Sequence, residues 1–170
     1  MIRVSEKIYL ERLLITDAKK IFELVEENRK IFHYLDWVDS VRCISSAQKY
    51  ISKRVQSTNL NSEWFKVILN DTIVGVFGIK YVCYDKLESE IGYWLAEIAQ
   101  GYGVVSQSIN SIKEYLKDEG IKTIKISCIS ENVNAIAVAV RAGGIKTKSV
   151  KNYKSINKKI FDLNVYSIRL

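Results

Sequence analysis

Glu88–Leu95 reads as a β-strand, and Val105, Ile109, Ile112 and Leu116 recur at the spacing of one helix face. Between them stand two glycines, in the run Gln100-Gly101-Tyr102-Gly103-Val104-Val105. Gly120 closes the helix. Ile121–Ile129 then reads as a second strand, with Ile124, Ile126 and Cys128 on one face. A strand–helix–strand unit sets its two strands parallel and joins them right-handedly. The chain is therefore committed to a mixed α+β fold. A glycine loop between strand and helix can turn its backbone N–H groups toward one point. The helix N-terminus adds partial positive charge there. The result is a phosphate cradle that needs no lysine. The loop is neither a Walker A motif, which continues Gly-Lys-Ser/Thr, nor a dinucleotide fingerprint, which needs a third glycine. Taken alone, a plain structural turn fits it equally well.

The remaining elements alternate between the same two periods. Lys7–Leu14 reads as a strand, and Thr16 caps a helix carrying Ala18, Ile21, Phe22 and Val25. An aromatic-rich connection, Ile31–Trp37, leads to a second helix starting at Ser45, where Ser45 and Gln48 form a capping-box pattern. Trp64–Leu69 and Thr72–Val82 flank the turn signal Asn70-Asp71 and read as a hairpin. A short helix is expected over Asn134–Arg141, stopped by Gly143-Gly144, and two strands form the tail. In the last strand Phe161, Leu163 and Val165 share one parity, while Tyr166, Ile168 and Leu170 share the other. That slip implies a bulge near Val165 or a strand buried on both faces.

At 170 residues the chain is expected to form a single domain, 1–170. No run of about 20 apolar residues is present, so no membrane helix is expected, and the first residues lack a signal-peptide apolar core. Twenty-six Lys and Arg against 19 Asp and Glu give a net charge of +7. That balance suits an anionic partner or simple solubility. Lys146, Lys148, Lys151, Lys154, Lys158 and Lys159 crowd the tail. A nucleic-acid patch would look similar, but these lysines are more simply the solvated side of a hairpin, and nucleic acid is not the expected partner. Cys43, Cys83 and Cys128 are odd in number and widely spaced. They read as buried, reduced thiols of a cytoplasmic protein, not as a metal site or a disulfide framework.

With the glycine loop in its context, the chain resembles the GCN5-related N-acetyltransferase (GNAT) family. Gln100, Gly103 and Val105 fall on the family's acyl-CoA loop, Gln/Arg-x-x-Gly-x-Gly/Ala, with Val105 in place of the small last residue. Glu90-Ile91-Gly92-Tyr93-Trp94-Leu95 resembles the preceding strand of the bacterial RimL/RimJ branch, which acetylates N-termini of ribosomal proteins. Asn28-Arg29 and Tyr34-Leu35-Asp36-Trp37-Val38-Asp39 are similar to that branch's segment near the substrate, with Asp36 where proline is usual. Val74-Gly75 matches its central hairpin. Asn132–Gly144 is similar to its second motif: Asn132, Arg141 and Gly143 match or nearly match, Ala135 replaces a serine and Gly144 an aromatic.

The resemblance implies an α+β GNAT fold: a mostly antiparallel, splayed sheet of about seven strands with about four flanking helices. Acetyl-CoA, the implied cosubstrate, would sit between Glu88–Leu95 and Ile121–Ile129. Its implied contacts are Tyr93, Trp94, Leu95, Gln100, Gly101, Tyr102, Gly103, Val104, Val105 and Asn132, with no metal. The implied reaction is direct acetyl transfer to an amine, foremost a protein N-terminal α-amine, with a homodimer as the assembly. A small-molecule amine acetyltransferase and a non-catalytic CoA- or nucleic-acid-binding module are the alternatives. The amine must be neutral to attack, so a base or a water chain must accept its proton. Glu90 and His33, the only histidine, are the candidates. Glu90 fits an ion-paired strand carboxylate equally well, and His33 an exposed loop residue. Tyr34 and Trp37 are expected to wall the acceptor groove. Ala135 cannot supply the hydroxyl that a serine would offer the leaving thiolate.

Overall fold

A computed structural model describes residues 1–56, 61–156 and 158–170. In chain order the elements are β1 (Ile2–Arg3), β2 (Ile8–Arg12), α1 (Ala18–Asn28), α2 (Ile44–Val55), β3 (Glu63–Leu69), β4 (Thr72–Cys83) and β5 (Glu88–Leu95). They continue with α3 (Val104–Asp118), β6 (Thr123–Ile129), α4 (Val133–Arg141), β7 (Ile145–Ile156) and β8 (Lys159–Arg169). Among the described residues the strands form one eight-stranded sheet in the order β1-β2-β3-β4-β5-β6-β8-β7. Every pairing is antiparallel except β5 with β6, the two strands joined through α3. The strand count exceeds the expected seven because the two-residue β1, too short to carry a periodic signal, adds an edge.

Strand alternation divides the interior into two cores. On β4 and β5, Phe77, Ile79 and Ile91 point into one, where they meet Ile109, Ile112 and Leu116 of α3 and Ile124 and Ile126 of β6. Val76 and Trp94 point the other way, into a core with Ile21 and Val25 of α1 and Ala47, Tyr50 and Ile51 of α2. A buried aliphatic side chain contributes about 1.5–3 kcal/mol, so each helix is held by its apolar stripe more than by its length. Asn70 and Asp71 take φ of +47° and +60° in the β3–β4 turn. That is the left-handed pair a tight two-residue hairpin needs, and asparagine and aspartate tolerate it.

Several local expectations shift. A 3-10 turn over Ile15–Asp17 precedes α1, which is capped at Asp17 and not at Thr16. Helix α2 is capped at Cys43, whose N–H donates to Ser46 Oγ at 2.9 Å, two residues ahead of the expected box. Cys43 is consequently exposed; only Cys128 is fully buried. The tail is resolved in favour of a strand covered on both faces. Strand β8 pairs with β6 without a register shift from Thr123↔Arg169 to Ile129↔Leu163. Phe161 meets the ring of Tyr34, while Tyr166 and Ile168 enter the α3-side core. The bulge beside Val165 belongs to the neighbouring β7, between Lys146 and Lys148.

Candidate active site

The parallel pairing of β5 with β6 is short. It runs from Glu88↔Thr123 to Ile91↔Ile126 and stops. Beyond it β5 stays on β4 as far as Leu95↔Gly75, while β6 stays on β8 as far as Ile129↔Leu163. The two strands therefore diverge, and among the described residues Gly92–Leu95 has no partner strand on the side that faces Ser127–Ile129. Such an edge offers backbone donors and acceptors to an extended, amide-bearing chain.

At the end of that edge lies the glycine loop. Gly101 and Gly103 take φ of +83° and +72°, and Gly103 is the N-cap of α3. Gln100 holds the loop to the strand: its backbone N–H donates to Glu97 O and its side-chain Nε2 to Leu95 O, both at 3.0 Å. From Gly101 through Ser106 no backbone N–H finds a protein acceptor among the described residues; the next one, on Gln107, donates to Gly103 O at 2.9 Å. Six consecutive unsatisfied donors at a helix N-terminus fit an anion such as a diphosphate. Tyr102 is exposed and Val104 is buried, so those two residues offer the loop backbone more than their side chains. Asn132 lies across the opening at the N-cap of α4, where its Oδ1 accepts from Ala135 N at 3.1 Å.

Side chains on the diverging edge alternate. Tyr93 turns to the α3 side, with its ring stacked 6.1 Å from Phe77. Its hydroxyl is buried without a partner. Burial, and secondarily Cys128, raise its pKa, so the phenol keeps its proton. Burial pushes the Cys128 thiol up to about 11, which leaves it a neutral core group. Trp94 turns to the α1–α2 side, where its Nε1 donates to Tyr50 Oη at 2.9 Å and its ring meets Phe32 and Trp37. Only the backbone of Trp94 faces the opening. Leu95 packs into the α3-side core.

A second face lies on the α1–α2 side. Gly78 and Gly92 pair across β4 and β5. The Trp64 ring rests on Gly78, where a methyl group would come within 2.5 Å of it, and the methylenes of Lys80 lie over Gly92. Lys80 stands at a bulge of β4, and its Nζ meets Glu90 Oε1 at 2.5 Å. Glu90 thus sits two residues before the first free edge residue, in the ion pair that the sequence left open as an alternative. Lys125 pairs with Glu88 beside it, and that hydrogen bond raises the Lys125 pKa. The aromatic connection roofs the face. Tyr34 Oη reaches Glu131 O at 3.4 Å, Asp36 pairs with Lys154 of β7, and the Trp37 ring lies tilted against Tyr50, 4.3 Å between centres. Arg29 holds the far end through Val38 O and Val41 O. Asn28 ties α1 to the loop after β5 by accepting from Glu97 N at 2.8 Å. His33 is exposed, with Nδ1 against Lys30 O and its ring 3.8 Å from Tyr34. The expected residues thus divide between the diverging edge with its glycine loop and the aromatic roof on the α1–α2 side.

Sequence reasoning missed Lys80, Trp64, Tyr50 and Arg54. The spacing Tyr50-x-x-x-Arg54 on an amphipathic helix was a usable signal, since residues four apart share a face. Lys80 could not be placed, because the bulge that aims it is a property of strand pairing. Among the described residues no three His, Cys, Asp or Glu converge to hold a metal ion. No helix of the described residues is long and apolar enough to cross a membrane.

The acetyltransferase (GNAT) domain family matches residues 7–145. The ribosomal-protein-serine acetyltransferase of Escherichia coli (strain K12) is 26% identical over 169 residues, which cover 98% of this chain and 94% of that protein. Among solved structures, the RimL ribosomal L7/L12 alpha-N-protein acetyltransferase in complex with coenzyme A superposes with a TM-score of 0.92 at 23% identity. The match covers 99% of this chain and 97% of that one. The microcin C7 self-immunity acetyltransferase MccE, in complex with acetyl-CoA and AMP, superposes with a TM-score of 0.90 at 25% identity, over 98% and 94% of the two chains.

Proposed function

The chain belongs to the acetyltransferase (GNAT) domain family and is an acetyl-CoA-dependent N-acetyltransferase; on that premise we propose that its acceptor is the α-amine of a protein N-terminus, of the ribosomal-protein type, and that residues 1–170 act as one catalytic domain in the cytoplasm. The observation that carries the acetyl-CoA part of this reading is the divergence of β5 from β6, with its free edge leading into six unsatisfied N–H groups at the start of α3; what supports the acceptor is the likeness to a ribosomal-protein acetyltransferase. The relative from Escherichia coli that spans nearly the whole chain is a ribosomal-protein-serine acetyltransferase.

Acetyl-CoA supplies an activated thioester carbonyl. The chain's own residues do the rest. The N–H groups of Gly101–Ser106 hold the diphosphate, and the edge Gly92–Leu95 aligns the extended arm. An N–H of that edge stabilises the oxyanion that develops as the amine attacks. Glu90, directly or through a water, accepts the proton the amine loses, while Lys80 fixes the carboxylate in place. His33, beside Tyr34 on the roof, is the second candidate for that proton. Trp37 and Tyr34 shape the acceptor groove and exclude water. Asn132 or a water donates to the departing sulfur, since Ala135 has no hydroxyl.

The test is release of free thiol from acetyl-CoA with N-terminal peptides, polyamines, amino sugars and amino acids, with products identified by mass spectrometry. Peptides acetylated at the α-amine support the reading. Turnover confined to small amines assigns the acceptor to that class, and acetyl-CoA binding without any turnover assigns a binding module. Sedimentation of the same sample tests the expected homodimer.

A further inference from the structure

Most charged groups on the acceptor face are neutralised. Lys80 pairs with Glu90, Lys125 with Glu88, Lys154 with Asp36 and Lys159 with Glu131. Arg54, in the last turn of α2, is different. Its guanidinium lies 3.5 Å from the ring centre of Tyr50, with Trp64 at 4.9 Å and Trp37 at 5.6 Å. One N–H reaches Tyr50 O at 3.1 Å. Its Nε is buried without a partner, and no carboxylate forms an ion pair with it among the described residues; Asp36, whose charge acts on it, is itself paired with Lys154. The undescribed segment 57–60 that follows contains no acidic residue. A guanidinium stacked on an aromatic face keeps its in-plane N–H edge free for a planar anion.

The position ties this cation to the reaction. Arg54 lies against Trp64, Trp64 rests on Gly78, and Gly78 pairs with Gly92, the first free residue of the diverging edge. From β5 to β3 is two strand spacings, roughly 10 Å at about 4.8 Å each. An extended peptide rises about 3.3 Å per residue, so the side chain of its second or third residue covers that span.

We propose that Arg54, caged by Tyr50, Trp64 and Trp37, is a carboxylate-binding subsite that selects acceptors carrying an acidic group a short reach from the reacting amine. This rests on the acceptor being a peptide N-terminus, and the same chemistry is available from the free carboxylate of a small amino-acid acceptor. Burial lowers the Arg54 pKa from its ordinary value, against smaller opposing pulls from Tyr50 and Asp36, and the opposite charge of an incoming carboxylate would offset that cost. The bland alternative is a cation that only caps α2 through Tyr50 O and packs its aromatic neighbours.

The experiment compares kcat/KM for three N-terminal peptides that differ only at residues two and three: Glu-Glu, Gln-Gln and Lys-Lys. Free glutamate and glycylglycine form a second arm. A charged hydrogen-bonded pair predicts a Glu-over-Gln preference of about ten- to hundredfold. That ratio collapses toward one in Arg54→Gln and is partly kept in Arg54→Lys. Acetyl-CoA calorimetry and thermal melting verify that both variants fold. A wild-type ratio near one, or a ratio preserved in Arg54→Gln, overturns the subsite, and so does an Arg54→Gln variant that slows all peptides equally. Arg54-dependent turnover of the free amino acid alone supports the subsite and overturns the peptide acceptor. No turnover in either arm overturns both.

Discussion

Replacing Gly103 by proline tests the anion cradle most directly. Gly103 sits at φ +72° as the N-cap of α3. Proline fixes φ near −65° and has no N–H, so the turn must be rebuilt and one donor disappears. A hydrogen bond to a charged oxygen contributes about 1.5–3 kcal/mol, so loss of that single donor weakens acetyl-CoA binding roughly ten- to 150-fold. Re-aiming the neighbouring N–H groups adds to this. Gly103→Ala is the control. An added Cβ meets only the Gln107 side-chain amide, at 3.5 Å, but must occupy the left-handed region, at about 1–2 kcal/mol. Alanine keeps its N–H, so the cost falls on stability, a Tm loss of about 2–8 °C for a chain of this size. Affinity in the folded alanine variant changes by less than about threefold on the same scale. Titration calorimetry with acetyl-CoA, beside thermal melts, separates the two. A folded Gly103→Pro protein with wild-type affinity would refute the assignment of the loop as the diphosphate site.

Glu90→Gln keeps the shape of the Lys80 contact and removes the proton acceptor. The kcat is expected to fall about ten- to thousandfold, and an unchanged kcat and pH profile shifts the role to His33 or water. Wild-type activity should rise from pH 6 toward pH 9, as an acceptor amine of ordinary pKa near 8 loses its proton. Ala135→Ser adds a hydroxyl in the first turn of α4, beside the Asn132 cap. A donor that strengthens as charge develops on the sulfur should raise kcat roughly two- to thirtyfold with little change in acetyl-CoA affinity; a fall in kcat in a folded variant places the hydroxyl away from the sulfur. The thiols should separate by pH. The Ser46 hydroxyl lowers the Cys43 pKa, so this exposed thiol reaches its thiolate first, whereas Cys128, pushed up to about 11, stays protonated. Iodoacetamide near pH 8 should therefore alkylate Cys43 in the folded protein and Cys128 only after denaturation, as read by peptide mapping; early labelling of Cys128 contradicts its burial.

The glycine loop, the β3–β4 hairpin and the helix α3 were legible because each rests on local chemistry: left-handed turn positions, a capping glycine, one apolar stripe. Alternation also carried more than was drawn from it. Tyr93 and Trp94 are consecutive on β5, so both side chains could not face the cofactor, and Trp94 is the one that enters the α2 core. What sequence could not show are the features made by pairing. The divergence after Ile91↔Ile126 depends on where β8 holds β6. The bulge that brings Lys80 over Glu90 depends on register. The Arg54 cage joins the aromatic connection, α2 and β3, segments whose apposition is tertiary. The expectation of buried cysteines failed at Cys43 for a local reason, because the start of α2 slid onto it.

The strand order sets a timetable for the nascent chain. Strand β8 lies between β6 and β7, so β7 has no place in the sheet until β8, made after it, has paired with β6. The glycine loop and α3 are synthesised before that step, whereas the β5–β6 fork is set only once β8 holds β6. The aromatic roof also comes late: Asp36 waits for Lys154 on β7, and Tyr34 waits for Phe161 on β8. A ribosome-bound chain ending before Lys159 would thus carry the glycine loop while lacking the strand that opens the fork and the partner that Tyr34 meets, so the site is completed only as the last strand emerges.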